Sequence, residues 1–193
     1  MPDAALSAAV ENILCGQPVY QYAFRTPGDL LFTERVRDIC RQECPRYGKS
    51  WSCPPAVGSV EACREKCLSW PHVLFFSTVA EVSDISCMEE TLATRAEHER
   101  VTLAVEKDMR ELGLDVYTLS SDSCAICESG ADAPGCAWPD APCRFPQLMH
   151  PCIESHGIVV ADLVEKCEMD YYLGERVLLW FSLVFYGKKG TAV

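Results

Sequence analysis

Five cysteines stand within CRQECPRYGKSWSCPPAVGSVEACREKC, from Cys40 to Cys67, and that density points to thiolates gathered on metal. Cys40, Cys44 and Cys53 follow a C-x3-C-x8-C spacing, with Pro45 after the second and Pro54-Pro55 after the third. Prolines there stiffen the backbone and remove N–H groups, which helps hold neighbouring sulfurs in place. A second group, Cys124, Cys127, Cys136 and Cys143, follows C-x2-C-x8-C-x6-C and is interleaved with Pro134, Pro139, Pro142 and Pro146. This second group is a complete ligand set for one centre. The first offers three sulfurs and needs a fourth. Cys63 or Cys67, four residues apart on one helical face, could supply it; otherwise one iron would be left open to a substrate.

Zinc and iron–sulfur clusters both use clustered thiolates. Structural zinc favours two short cysteine pairs far apart, and only one C-x2-C is present here. Iron–sulfur ligands commonly come from irregular loops, with proline following a ligand cysteine in bacterial ferredoxins. Trp51 beside Cys53 and Trp138 beside Cys136 could shield such a cluster from water, although core packing explains tryptophans equally well. The reading is therefore two 4Fe-4S clusters, with zinc as the alternative. His150, Cys152 and His156 form an H-x-C-x3-H spacing that could ligate metal, or place a nucleophile near a base, but a loop entering a helix accounts for it as well. Cys15, Cys87, Cys152 and Cys167 stand singly and are expected to behave as small buried apolar residues. Walker, dinucleotide-fingerprint and serine-elbow motifs are absent from the sequence.

The elements that must position these sulfurs follow from hydrophobic periodicity. Half of the 193 residues are apolar (49%), enough for one domain over 1–193 with a real core and two cysteine-rich segments, about 40–67 and 124–143. Helices are expected over 1–14, 33–40, 60–68 (Ser59 as N-cap), 86–112 (a Ser86/Glu89 capping box and an apolar stripe of Val101, Val105, Met109 and Leu112) and 160–167. Strands are expected over 19–24, 73–79, 116–119 and 178–186, the second of them central, with 73–79, its following helix and 116–119 forming a right-handed parallel unit. The fold class is α+β or α/β, a small mixed sheet of about four strands with flanking helices and two cysteine-rich metal-binding loops.

Charge and composition narrow the function. Net charge is −11, and clusters would add further negative charge, so nucleic acid is excluded as a partner and docking to a basic patch on a redox partner protein is favoured. The longest apolar run, VLLWFSLVFY over 177–186, is about half of a membrane span, and a core strand fits it better. The N-terminal MPDAALSAAVENILCGQ has no basic segment followed by an apolar core, and thirteen cysteines, an odd number, fit ligands plus spares better than disulfides. A cytoplasmic location follows as the expectation, and the basic tail Lys188-Lys189 closes the last strand.

C-x3-C-x2-YGKSWSCPP in the first half, and C-x2-C followed by CAWPDAPCRFP and IESHGIVV in the second, resemble the predicted metal-binding proteins grouped as domain of unknown function 2284, from bacteria and archaea. The resemblance spans about residues 35–164. It implies metal binding by Cys40, Cys44 and Cys53 and by Cys124, Cys127, Cys136 and Cys143. Two departures stand out: ESGADAPG separates Cys127 from Cys136 where the family has a shorter gap, and Pro151-Cys152-Ile153-Glu154 stands where the family tends to have proline, serine and glutamate. The function expected is an iron–sulfur protein passing electrons to a partner enzyme. The alternatives are a reductase whose cluster iron accepts a small molecule or corrinoid, and a zinc-stabilised interaction domain.

Overall fold

The computed structural model describes residues 4–128 and 133–188. The first three residues of the expected N-terminal helix, the middle of the Cys127–Cys136 insertion and Lys189 of the basic tail lie outside them. A four-stranded sheet has the order β1 (Gln21–Arg25), β2 (His72–Glu81), β4 (Val177–Lys188), β3 (Leu114–Ser120), with every neighbouring pair antiparallel. Of the two expected classes the fold is α+β.

β2 and β4 hold the middle because both of their faces are apolar. Val73 and Phe75 of β2, with Phe181, Leu183 and Phe185 of β4, meet one core, while Leu74, Phe76, Val184 and Tyr186 meet the other. The first core is closed by Cys67 of α3 (Val60–Leu68) and by Val160, Leu163 and Val164 of α5 (Val160–Lys166). The second is closed by Val10 and Leu14 of α1 (Ala4–Cys15) and by Val101, Val105 and Met109 of α4 (Met88–Glu111). Leu112, at the end of the expected stripe, is instead exposed.

The unit β2–α4–β3 needs a correction. Its two strands run the same way, since each is antiparallel to β4, but they are not neighbours: β4 lies between them. The last strand in sequence is the most continuously apolar, and the central slot is where both its faces leave water. The start of α4 also differs. Its N-cap is Cys87 without a side-chain bond, Ser86 turns its N–H to Asp84 (2.8 Å), and Glu90 rather than Glu89 reaches back, to the N–H of Ser83 (2.7 Å). Ser59 does cap α3, accepting the N–H of Ala62 (3.1 Å), and Thr33 caps α2 (Glu34–Glu43) by accepting that of Arg35 (3.2 Å).

Gly157 joins the sheet's first face to the cysteine-bearing helices. It sits at φ +75° after the 3-10 turn Glu154–His156, and a Cβ there would fall 2.9 Å from Val60 and 3.0 Å from the Thr33 carbonyl. Its own carbonyl accepts the Thr33 N–H (2.8 Å). Only glycine allows the turn and the start of α2 to approach this closely.

On the other face His98 of α4 bridges the two central strands, bonded to Thr78 of β2 (2.8 Å) and Ser182 of β4 (2.9 Å). Burial pushes its imidazole down to about 4, so it is neutral in the fold. Unfolded histidine binds a proton below about 6.5, so stability rises with pH between about 4 and about 6.5 and is lost on acidification through that window. His98→Gln is expected to remove up to about 3 kcal/mol of that slope. Urea midpoints at pH 7 and pH 4.5 check it: wild type should lose clearly more stability between them than the variant.

Candidate metal centre

Three stretches distant in sequence meet at Ser52, which is fully buried between Trp51 and Cys53. Its carbonyl accepts the N–H of Cys152 (3.0 Å), and its hydroxyl accepts the N–H of Cys124 (2.8 Å). Cys152 is held from its other side by β3, because Ser120 donates to the Pro151 carbonyl (3.0 Å) and Ile153 donates to that of Ser120 (3.1 Å). One serine thus brings together Cys53, the start of the second cysteine group, and a cysteine that belongs to neither group.

Cys40, Cys44, Cys53 and Cys152 line one hollow with Tyr47, Pro54 and Asp122, about 290 Å³ of empty space including its mouth. Cys40 comes from the last turns of α2, Cys44 is the α2 C-cap, and Cys53 comes from the turns that follow. Burial pushes the Cys53 thiol up to about 11, against the pull of the Ser52 hydroxyl (Oγ to Sγ 3.7 Å) and Arg46. Cys40 is also raised, by burial first and then by Cys44 and Glu154. Cys152 is raised well above the usual thiol range by burial and by the Glu154 carboxyl, whose Oε2 accepts its S–H (2.8 Å). Burial raises Glu154 in turn.

Cys124, Cys127, Cys136 and Cys143 line a second hollow, about 300 Å³, with Trp51, Ile126, Phe145 and Met149. Trp51 meets Trp138 edge to face (4.7 Å between rings), and the Trp51 indole N–H donates to the Ala141 carbonyl (3.0 Å). Burial raises Cys124. Cys136 also feels burial, but backbone N–H groups of Trp138 and Trp51 and the Ser50 hydroxyl outweigh it and lower its pKa. Ser50 is 2.9 Å from Ser52 through their hydroxyl oxygens, so a chain of two buried hydroxyls runs from Cys53 in the first hollow to Cys136 in the second.

The donor sets suit a thiophilic metal: four sulfurs around each hollow, with apolar side chains behind them. They ring spaces rather than points, and among the described residues no group of three His, Cys, Asp or Glu forms a ready-made single-ion site. All thirteen cysteines are free thiols. Any metal must therefore displace the protons that burial holds on Cys40, Cys53, Cys124 and Cys152.

The remaining candidates lie elsewhere. Cys63 and Cys67 do share a helical face, but it faces inward, and neither lines the first hollow. Cys63 donates to the Val57 carbonyl (3.3 Å), and Cys67 packs against Leu30, Val73 and Phe75 in the core, where burial pushes it up to about 12. Cys15 and Cys87 are exposed rather than buried, and Cys167 is half-buried. His156 bonds through Nε2 to the Tyr117 hydroxyl (2.6 Å) and through Nδ1 to the Cys152 carbonyl (3.1 Å), so its ring turns from the Cys152 sulfur. His150 lies between Glu99 and Glu106 of α4, with Nε2 2.6 Å from Glu106 and Nδ1 bonded to Glu99. Burial alone would lower its pKa, but the two carboxylates outweigh it and raise it to about 9, so His150 is a buried cation. Arg95 extends this cluster, bonding Glu99 (3.5 Å) and the Ser121 carbonyl (3.1 Å) and so tying the start of the second cysteine loop to α4.

A family model described as predicted metal-binding protein (DUF2284) matches residues 26–186. No curated protein and no solved structure matches the chain.

Ser52→Ala leaves the buried Cys124 N–H without its acceptor, an expected loss of about 1–3 kcal/mol in the metal-free protein. Because the same residue sits between both hollows, metal content at the two should fall together. Ser50→Ala removes the hydroxyl beside Cys136 and the acceptor of the Ser52 N–H (3.2 Å) but leaves the bonds of Ser52 with Cys124 and Cys152 in place, and should lower metal retention at the second hollow more than at the first. Denaturant unfolding and metal analysis of both variants check this; equal losses from the two substitutions would count against the keystone role of Ser52.

Proposed function

The chain belongs to the family of predicted metal-binding proteins DUF2284, and from this premise we propose that it carries two iron–sulfur clusters and passes single electrons between them and a partner. The observation that carries the reading is the pair of four-cysteine hollows joined by the Ser50–Ser52 hydroxyls. Four thiols around each match the ligand number of a 4Fe-4S cluster, which when bound supplies one-electron oxidation and reduction at a potential set by hydrogen bonds to its sulfurs and by burial. The protein's own residues provide both controls. N–H groups of Trp51 and Trp138 and the Ser50 hydroxyl point at Cys136, and the Ser52 hydroxyl points at Cys53.

Cys152 supports electron transfer over an open iron. With Cys40, Cys44 and Cys53 it makes the first set complete, leaving no ligand position to a substrate or corrinoid. It takes the role that spacing alone offered to Cys63 or Cys67. The net charge of −11 favours a partner with a basic docking patch, and thiol ligands suit a reducing compartment such as the cytoplasm. Among the described residues no helix is long and apolar enough to cross a membrane.

Protein purified without oxygen is expected to be brown, with iron and acid-labile sulfide in equal amounts. Cys152→Ala and Cys127→Ala should each remove about half of the iron, since each opens one four-thiolate set. Cys63→Ala and Cys67→Ala should leave iron content unchanged. Colourless protein with stoichiometric zinc would replace this reading with a zinc-stabilised interaction domain.

A further inference from the structure

A groove of about 780 Å³ runs past the first hollow, within the range of small-molecule sites. Cys40, Cys44 and Cys152 are shared between the two, so whatever lies in the groove lies over the first centre. Its walls are apolar: Ile39 from α2, Val160 from α5, and Leu179 and Phe181 from β4. Tyr171 and Tyr172 stand on its rim, 58% and 61% exposed, an unusual position for two adjacent aromatic rings. Tyr171 is fixed there by stacking on Phe181, with ring centroids 5.9 Å apart.

The charge of the lining is one-sided. Glu43, Asp122 and Glu154 contribute carboxyl groups, and no Lys, Arg or His is among the described residues that line the groove. Arg46, whose charge reaches Asp122, is itself bonded to Glu128 and to the Ser123 hydroxyl (2.7 Å). Aromatic faces together with carboxylates and no opposing cation form the setting that recognises alkylated ammonium groups. An anionic ligand would meet repulsion and no hydrogen-bonding cation.

We propose that this groove binds a small organic cation, with an apolar body along Ile39, Val160 and Leu179 and an ammonium head between the tyrosine rim and Asp122. This assigns a ligand class to the face of the first centre. It rests on the iron–sulfur reading only for what the ligand would exchange there; the binding contacts themselves need no metal.

Calorimetric titration of the full chain, both as isolated without oxygen and after chelator treatment, tests it with benzyltrimethylammonium against phenylmethanesulfonate, an anion with the same ring. The cation is expected to bind at least tenfold more tightly in both preparations. Tyr172→Ala should weaken it about two- to fivefold, the worth of one exposed cation–π contact, and Tyr172→Phe should restore it. Asp122→Asn should narrow the gap between cation and anion. Equal affinity for the two probes, no cation binding at millimolar concentration, or an unaltered Tyr172→Ala variant would overturn the proposal. So would a dimer that buries Tyr172 and dissociates in the Ala variant, since the groove would then be an interface between copies. Iron analysis of the same samples separates the two readings: cation preference without iron removes only the clusters, and iron without cation preference removes only this ligand.

Discussion

Thiols do not gather by themselves. Buried side by side and without metal they offer each other no attraction, and any that ionise repel, so that Cys44 adds to the burial that raises the pKa of Cys40 and Cys53. Hydrogen bonds to Ser52 supply the convergence instead, its carbonyl accepting the N–H of Cys152 and its hydroxyl that of Cys124. Both bonds are buried, where a lost partner costs more than a made bond gains. The metal-free chain can therefore hold its sulfurs near their final places, and part of the ordering that a flexible loop would require of the metal is already done.

The same constraint needs a rigid support, and α4 provides it. His150 lies two residues before Cys152, and its charge is held between Glu99 and Glu106, about two turns apart on α4. Arg95, one turn before Glu99, grips the Ser121 carbonyl just ahead of Cys124. Buried charges of both signs, balanced against one another, favour one arrangement of helix and loops, because any slip would strand an unpaired ion. Ser120 also donates to Glu99 (2.8 Å), so the end of β3 is part of the same assembly. Both cysteine hollows are thus referenced to a single helix across the sheet.

Much of this was legible in residue spacing. The strands over 73–79 and 178–186 lie inside β2 and β4, and the Ser59 cap begins α3 where expected, since apolar runs and caps are local signals. The four sulfurs of the second group line one space as their sequence closeness suggested. What could not be read was order in space. Nothing local says that the last strand enters between β2 and β3, and nothing in the spacing from Cys53 to Cys152 says that their backbones pair through Ser52. Cys152 looked like a lone cysteine beside two histidines. The usable signal was its setting between Pro151, which ends the preceding loop, and Glu154, in a stretch already similar to the family. Cys63 and Cys67 illustrate the opposite limit: an i, i+4 pair marks a shared face without saying which way that face turns, and here it turns to the core.

The two hollows differ in what surrounds them, and so in how each treats a negative sulfur. Trp51 lines the second and packs edge to face on Trp138, and hydrogen bonds there favour the thiolate form of Cys136. The first faces a broad apolar groove, and its own carboxyl, Glu154, is raised by burial and bonded to Cys152. Donors aimed at sulfur stabilise negative charge on it, and a neighbouring carboxyl opposes it, so the two sets of sulfurs are unequal hosts for negative charge. The Ser50–Ser52 hydroxyls form a hydrogen-bonded route between them, with two protons to distribute among Cys136, Cys53 and each other. A change of charge at one sulfur must then alter the hydrogen bond available to the other. The two sets of sulfurs are thus joined through one pair of hydroxyls, and it is the first whose cysteines also line the broad groove.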